Sequence, residues 1–121
     1  MTFWRPISFS EIAMVTALVE RSAIPAGRVL LHGLGQALVL PDTVWFYEVQ
    51  TSGTAQIELP NGPYPAFAYV RTDSVYRGEI LLWLKDGQLS ALEFASVTDD
   101  LPTRWPRPDE LDVVSQIEEP E

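Results

Sequence analysis

An α+β fold is the class this sequence predicts: one or two N-terminal helices packed on a mostly antiparallel sheet of about six strands. Three observations point there. A helical pattern is confined to the stretch from Ser8 to Ser22. From Gln36 onward, β-branched and aromatic segments recur at short, regular spacing between turn residues. Finally, the run from Gly78 to Val97, GEILLWLKDGQLSALEFASV, sets two apolar segments on either side of Asp86-Gly87, a dipeptide that accepts the positive φ of a tight hairpin turn.

Residues 1–7 read as extended, with Phe3 and Trp4 as apolar anchors ahead of Pro6. Ser8 and Glu11 have the S-x-x-E spacing of a capping box, which satisfies backbone donors at a helix start, so a helix is expected from Phe9 to about Ser22. Along it Ile12, Val15 and Val19, flanked by Leu18, form the apolar stripe, and Glu11, Glu20 and Arg21 fall on the other side. Residues 26–34, AGRVLLHGL, fit either a strand or a short helix, and Gly33 and Gly35 are wrongly spaced for a nucleotide-binding loop. Strands are then expected at 37–40, 43–50, 54–60 and 66–72. Turns separate them at Pro41-Asp42, Thr51-Ser52-Gly53, Asn61-Gly62-Pro63 and Asp73-Ser74.

In the hairpin, a two-residue loop at Asp86-Gly87 pairs Leu84 with Leu89, Leu82 with Ala91 and Leu81 with Leu92. A three-residue loop that includes Lys85 pairs Trp83 with Leu89 and Ile80 with Leu92. Both faces of the first strand are apolar, which predicts a central strand covered on both sides, and Glu93 in the second strand is expected at a solvated margin. After Val97, Pro102, Pro106 and Pro108 keep the chain extended. Leu101 and Trp105 are expected to pin this segment on the body, Leu111, Val113 and Val114 to supply a last edge strand, and 117–121 to fray. Residues 99–121 thus read as an acidic, proline-rich extended tail of a single domain spanning 1–121.

A chain of 121 residues can bury about two-thirds of its unfolded surface around one core. With 46% hydrophobic and 11% aromatic residues, it belongs with folded rather than disordered chains. There is no cysteine, which removes disulfides, thiolate nucleophiles and cysteine metal sites. MTFWRPISFSE lacks the basic start and apolar core of a signal peptide, and no apolar run reaches membrane-spanning length, so a cytoplasmic location without membrane contact is expected. Net charge is −9, and from Asp99 onward eight acids face only Arg104 and Arg107. Direct nucleic-acid binding, which needs clustered Lys and Arg on phosphates, is not expected; a basic protein is the partner such a surface attracts.

Little in the sequence carries catalysis. His32 is the only histidine, so a histidine- or cysteine-based metal site has no ligand set, and neither metal nor cofactor is expected. No G-x-S-x-G elbow presents a nucleophilic serine. Glu48 with Glu58, and Glu79 with Glu93, are carboxylate pairs that neighbouring strands bring together in many acidic proteins, and the chain is not expected to be an enzyme. Interface residues are sought instead among acids and aromatics. Asp99, Asp100, Asp109, Glu110 and Asp112 lie on the proline-stiffened segment anchored by Trp105. Tyr64 and Tyr76 sit beside turn residues, and Tyr and Trp are favoured interface anchors.

The run GEILLWLKDGQLSALEFASVTDDLPTRWPRPDEL resembles small uncharacterised actinobacterial proteins. Their C-terminal half reads as an apolar strand, then DGxLSxLE, an acidic stretch and PxxWPxPxxL. Those positions correspond here to Asp86-Gly87, Leu89-Ser90, Leu92-Glu93, Asp99-Asp100 and Pro102 to Leu111. The resemblance covers about a third of the chain, lacks a cysteine-containing stretch found in many of the group, and brings no catalytic residue with it. By size and charge the chain also looks like bacterial immunity proteins, which neutralise toxin domains. That likeness implies an immunity or inhibitor protein whose acidic surface binds a toxin domain such as a basic nuclease. The alternative is an intracellular module for a small ligand or a housekeeping partner.

Overall fold

The structure is a computed structural model describing residues 3–43, 45–51, 53 and 55–115. Ser8 starts the helix as its sequence predicts: its hydroxyl accepts from the Glu11 N–H, and the Glu11 carboxylate accepts from the Ser8 N–H. Helix α1 runs Phe9–Arg21, and Ser22 caps it. Of the two readings of 26–34, the short helix is the one that forms, as a 3-10 helix over Gly27–Leu31, followed by another at Leu34–Gln36. Ala26 and Gly33, both at positive φ, precede these two turns.

The strands are β1 (Arg5–Pro6), β2 (Leu38–Thr43), β3 (Phe46–Gln50), β4 (Gly62–Thr72), β5 (Val75–Lys85), β6 (Gln88–Ser96) and β7 (Leu111–Ser115). They form one antiparallel sheet in the order β1-β2-β3-β6-β5-β4-β7. An α+β fold with a single seven-stranded sheet is therefore what the sequence forms. Both long hairpins turn on two residues at positive φ, Asp73-Ser74 and Asp86-Gly87, matching the right-handed twist of their strands.

Three expectations about strands are corrected. The 54–60 segment, for all its alternation, joins no ladder over its described residues 55–60, which are irregular; Ile57 is buried in the core and Leu59 packs against it. Hydrogen bonds to the β5–β6 hairpin tip replace a ladder: the Ile57 N–H donates to the Gly87 carbonyl at 2.9 Å and Gln88 Nε2 to the Gly53 carbonyl at 2.6 Å. Pro41-Asp42 does not turn the chain; Pro41 continues β2 opposite Tyr47, as an X-Pro residue can where no ladder N–H is needed. Asn61-Gly62-Pro63 likewise leads into β4, with the Asn61 side chain accepting from the Asp86 N–H at 2.8 Å.

The hairpin register begins as a two-residue loop, Leu84 opposite Leu89. A bulge between Trp83 and Leu84 then adds a residue on β6, so Leu82 pairs with Leu92 and Leu81 with Glu93 rather than with Ala91 and Leu92. The core lies on one side of the sheet. Met14, Val15, Leu18 and Val19 of α1 pack there with Ala66, Ala68 and Val70 of β4, Ile80, Leu82 and Leu84 of β5, and Leu92. Tyr64 is buried in it; its hydroxyl donates to Ser22 Oγ, whose own proton goes to the Val19 carbonyl. Gly27 is glycine because a β-carbon there would collide with that hydroxyl.

Candidate functional site

The sequence places the contact surface on the acidic segment after Val97; the structure divides those residues. Trp105, Glu110 and Tyr64 are buried and cannot meet a partner. Trp105 sits edge-on to Trp45 and Tyr47, with ring centroids 5.1 Å away in each case, and near Phe94 at 6.4 Å. Its indole N–H donates to Glu11 at 3.0 Å. Leu101, expected to help pin the segment, is 66% exposed. Asp109 faces Arg107 at 3.3 Å and Asp112 faces Arg71 at 3.0 Å, both on the surface, while Asp99 and Asp100 are exposed.

Two buried carboxylates, both missed as such in the sequence, hold this arrangement. Glu11 lies on the buried side of α1, not the solvent side, at 1% exposure. It accepts two guanidinium bonds from Arg5 at 2.7 and 3.0 Å, besides those from Ser8 and Trp105. Burial pushes its pKa up, but the Arg5 and Ser8 bonds outweigh that and leave it below the ordinary carboxylate range. Glu110 is bound the same way by Arg104 at 2.7 and 2.9 Å and by the Arg107 N–H at 2.8 Å. Chiefly through the Arg104 bond, its pKa falls from 4.5 to about 2.

A pKa depressed in the folded state adds stability that is present above the unfolded value and lost as pH falls through the folded one. Glu110 therefore makes the fold acid-labile between about pH 4.5 and about 2. The contribution is at most about 3 kcal/mol, less what solvent removes at the half-exposed Arg104. Urea unfolding followed between neutral pH and pH 2.5 (roughly the window set by the shift) should show Glu110→Gln with a shallower decline than wild type. An unchanged decline would remove Glu110 from the account.

The other face of the sheet is open. From Tyr64 to Val70 on β4 and from Gly78 to Leu84 on β5, buried residues alternate with partly exposed ones, so the expectation of cover on both sides of β5 fails. Register sets the residues of this face in transverse rows, with Ala91 buried beneath its neighbours. One row runs Phe46, Glu93, Leu81, Phe67 and Val114, and the next runs Leu40, Glu48, Ala91, Trp83 and Pro63. A third runs Ala95, Glu79, Tyr69 and Asp112. Phe67, Tyr69 and Tyr76 pack edge to face with centroids 5.0 and 5.5 Å apart. Of the sequence-derived candidates, Tyr76 and Asp112 lie on this face, and Tyr76 is overlain by the Arg71 guanidinium 5.6 Å from its ring.

Glu93, expected at a margin, sits mid-sheet here and accepts from the Trp83 indole at 3.1 Å. Glu79 pairs with Ala95 rather than Glu93, and Glu58 is on no strand, so neither suggested carboxylate pair forms across a ladder. His32 is exposed. Among the described residues, no group of three or more His, Cys, Asp or Glu side chains could hold a metal ion, and no helix is long and apolar enough to cross a membrane. In comparisons with protein-family models, curated proteins and solved structures, nothing matches the chain.

Proposed function

We propose that this chain is an inhibitor of the immunity type, which captures a basic toxin domain on the open face of its sheet. The observation that carries the reading is the composition of that face. Each of its three rows sets aromatic or aliphatic side chains beside a carboxylate and includes no Lys or Arg, and the neighbouring Arg71 is already paired with Asp112. Arg and Lys of a partner find both recognition elements there: the faces of Tyr and Trp rings, and carboxylate acceptors held by neighbouring strands. A rigid sheet loses little conformational freedom on binding, and Tyr and Trp concentrate binding energy. The net charge of −9 supplies long-range attraction toward a cationic cleft.

The face and the acidic segment play separable parts. Trp83→Ala is expected to weaken the complex with a basic toxin domain that wild type captures by about 2 kcal/mol or more, mainly through faster dissociation. Asp99→Asn with Asp100→Asn should slow association and flatten its salt dependence with a smaller loss of affinity. Surface-plasmon measurements at two salt concentrations separate these outcomes. If Trp83→Ala binds like wild type, the open face is not the interface.

A further inference from the structure

Behind the open face, where β4 and β6 end and β5 begins, the segment from Thr98 to Pro106 folds over the sheet and leaves a cleft of about 230 Å³. Val70, Phe94, Leu101 and Pro102 give it apolar walls. Arg77 enters it by way of a bulge: Val70 pairs with Gly78 but Arg71 with Tyr76, so Arg77 is the unmatched residue on β5. Bulges re-aim side chains, and this one depends on Gly78, whose φ of +152° and contact with the Ala95 carbonyl leave no room for a β-carbon.

Arg77 is unlike the chain's other arginines. Arg5, Arg71, Arg104 and Arg107 are ion-paired, Arg21 donates to the Pro108 carbonyl, and Arg28 is exposed. Arg77 alone is half-buried with no side-chain partner among the described residues, in a protein with an excess of nine negative charges. The hydroxyls of Ser96 and Thr98 in the cleft already donate to the backbone carbonyls of Thr98 and Asp100, at 3.3 and 2.9 Å. Thr72 donates to Glu110 at 3.5 Å and Arg104 is ion-paired with it, so the Arg77 guanidinium is the charged donor of the cleft that holds no anion among the described residues.

We propose that this cleft binds a small organic monocarboxylate, its carboxylate on Arg77 and its apolar body between Phe94, Leu101 and Pro102. A volume of about 230 Å³ suits a small aromatic or branched acid. Charge selects the class. Arg104 and Glu110 in the lining neutralise each other, and Asp100 offsets part of the charge on Arg77, so a single cation faces an incoming anion and a phosphate-like dianion is disfavoured.

Benzoate is the probe, with benzamide as its uncharged isostere, titrated into the full chain and followed by NMR. Benzoate should produce saturable shifts at Arg77 Nε–H and at the amides of 96–104, with a millimolar dissociation constant. Benzamide should bind about tenfold more weakly or worse, the scale of one charge-assisted hydrogen bond. Arg77→Met should lose benzoate binding by a similar factor and Arg77→Lys should restore part of it. The benzoate–benzamide comparison uses wild type alone and holds even if a variant misfolds. Absence of saturable shifts, equal binding of benzamide, or undiminished binding by a folded Arg77→Met overturns the proposal.

Discussion

Glu11→Ala is expected to destabilise the protein by about 3–5 kcal/mol, the scale for removing one member of a buried, hydrogen-bonded ion pair. The loss has three parts. The Ser8 N–H at the start of α1 loses its acceptor, the Trp105 indole N–H is left buried without one, and Arg5, which lies 5.7 Å over the Tyr47 ring, loses the group that fixes it there. Glu11→Gln keeps the shape and one acceptor oxygen, and should lie between alanine and wild type. Urea unfolding measures both, and the near-ultraviolet circular dichroism of the tryptophans reports whether Trp105 stays docked. A Glu11→Ala protein as stable as wild type would mean that desolvation cancels what the bonds contribute.

Leu82→Ala is expected to cost about 2–5 kcal/mol, the range for truncating a large aliphatic side chain in a closed core. Leu82 is fully buried on a central strand, opposite Leu92. Neighbours on continuous strands have little freedom to collapse into the space it leaves. Leu81→Ala, one residue away on the open face, should cost less because water already reaches that side chain. Equal losses for the two variants would contradict the one-sided packing of the sheet.

What the sequence made legible is what depends on near neighbours. The capping box, both Gly- or Asp-containing hairpin turns and the edge strand near Val113 follow from residues a few positions apart, and they form where expected. Glu11 was misplaced because its partners are not local: helical periodicity sets a carboxylate outward unless something inside receives it, and Trp105 lies 94 residues on. The 54–60 segment misled for the opposite reason. Alternation describes a strand only if another strand is free to pair with it, and here the hairpin tip takes its hydrogen bonds.

Apolar residues on both sides of β5 look identical whether a second layer covers them or a partner does, so the open face was illegible as a site. Arg77 left a fainter trace. A glycine inside a strand pattern, as in Tyr76-Arg77-Gly78, is the mark of a bulge, and it foretells a side chain turned out of alternation.

The strand order has one more consequence, for how copies of the protein meet. A sheet with two free edges invites a neighbouring chain to add a strand to its unpaired backbone groups. At one edge β1 offers only two residues, and Pro6 has no N–H to give. At the other, β7 carries Asp112 on the open face beside Arg71, so a second β7 pairing antiparallel about that residue would set carboxylate against carboxylate. Edge-to-edge growth is opposed at both ends, which leaves the broad aromatic face, not the rim, as the side of the sheet open to company.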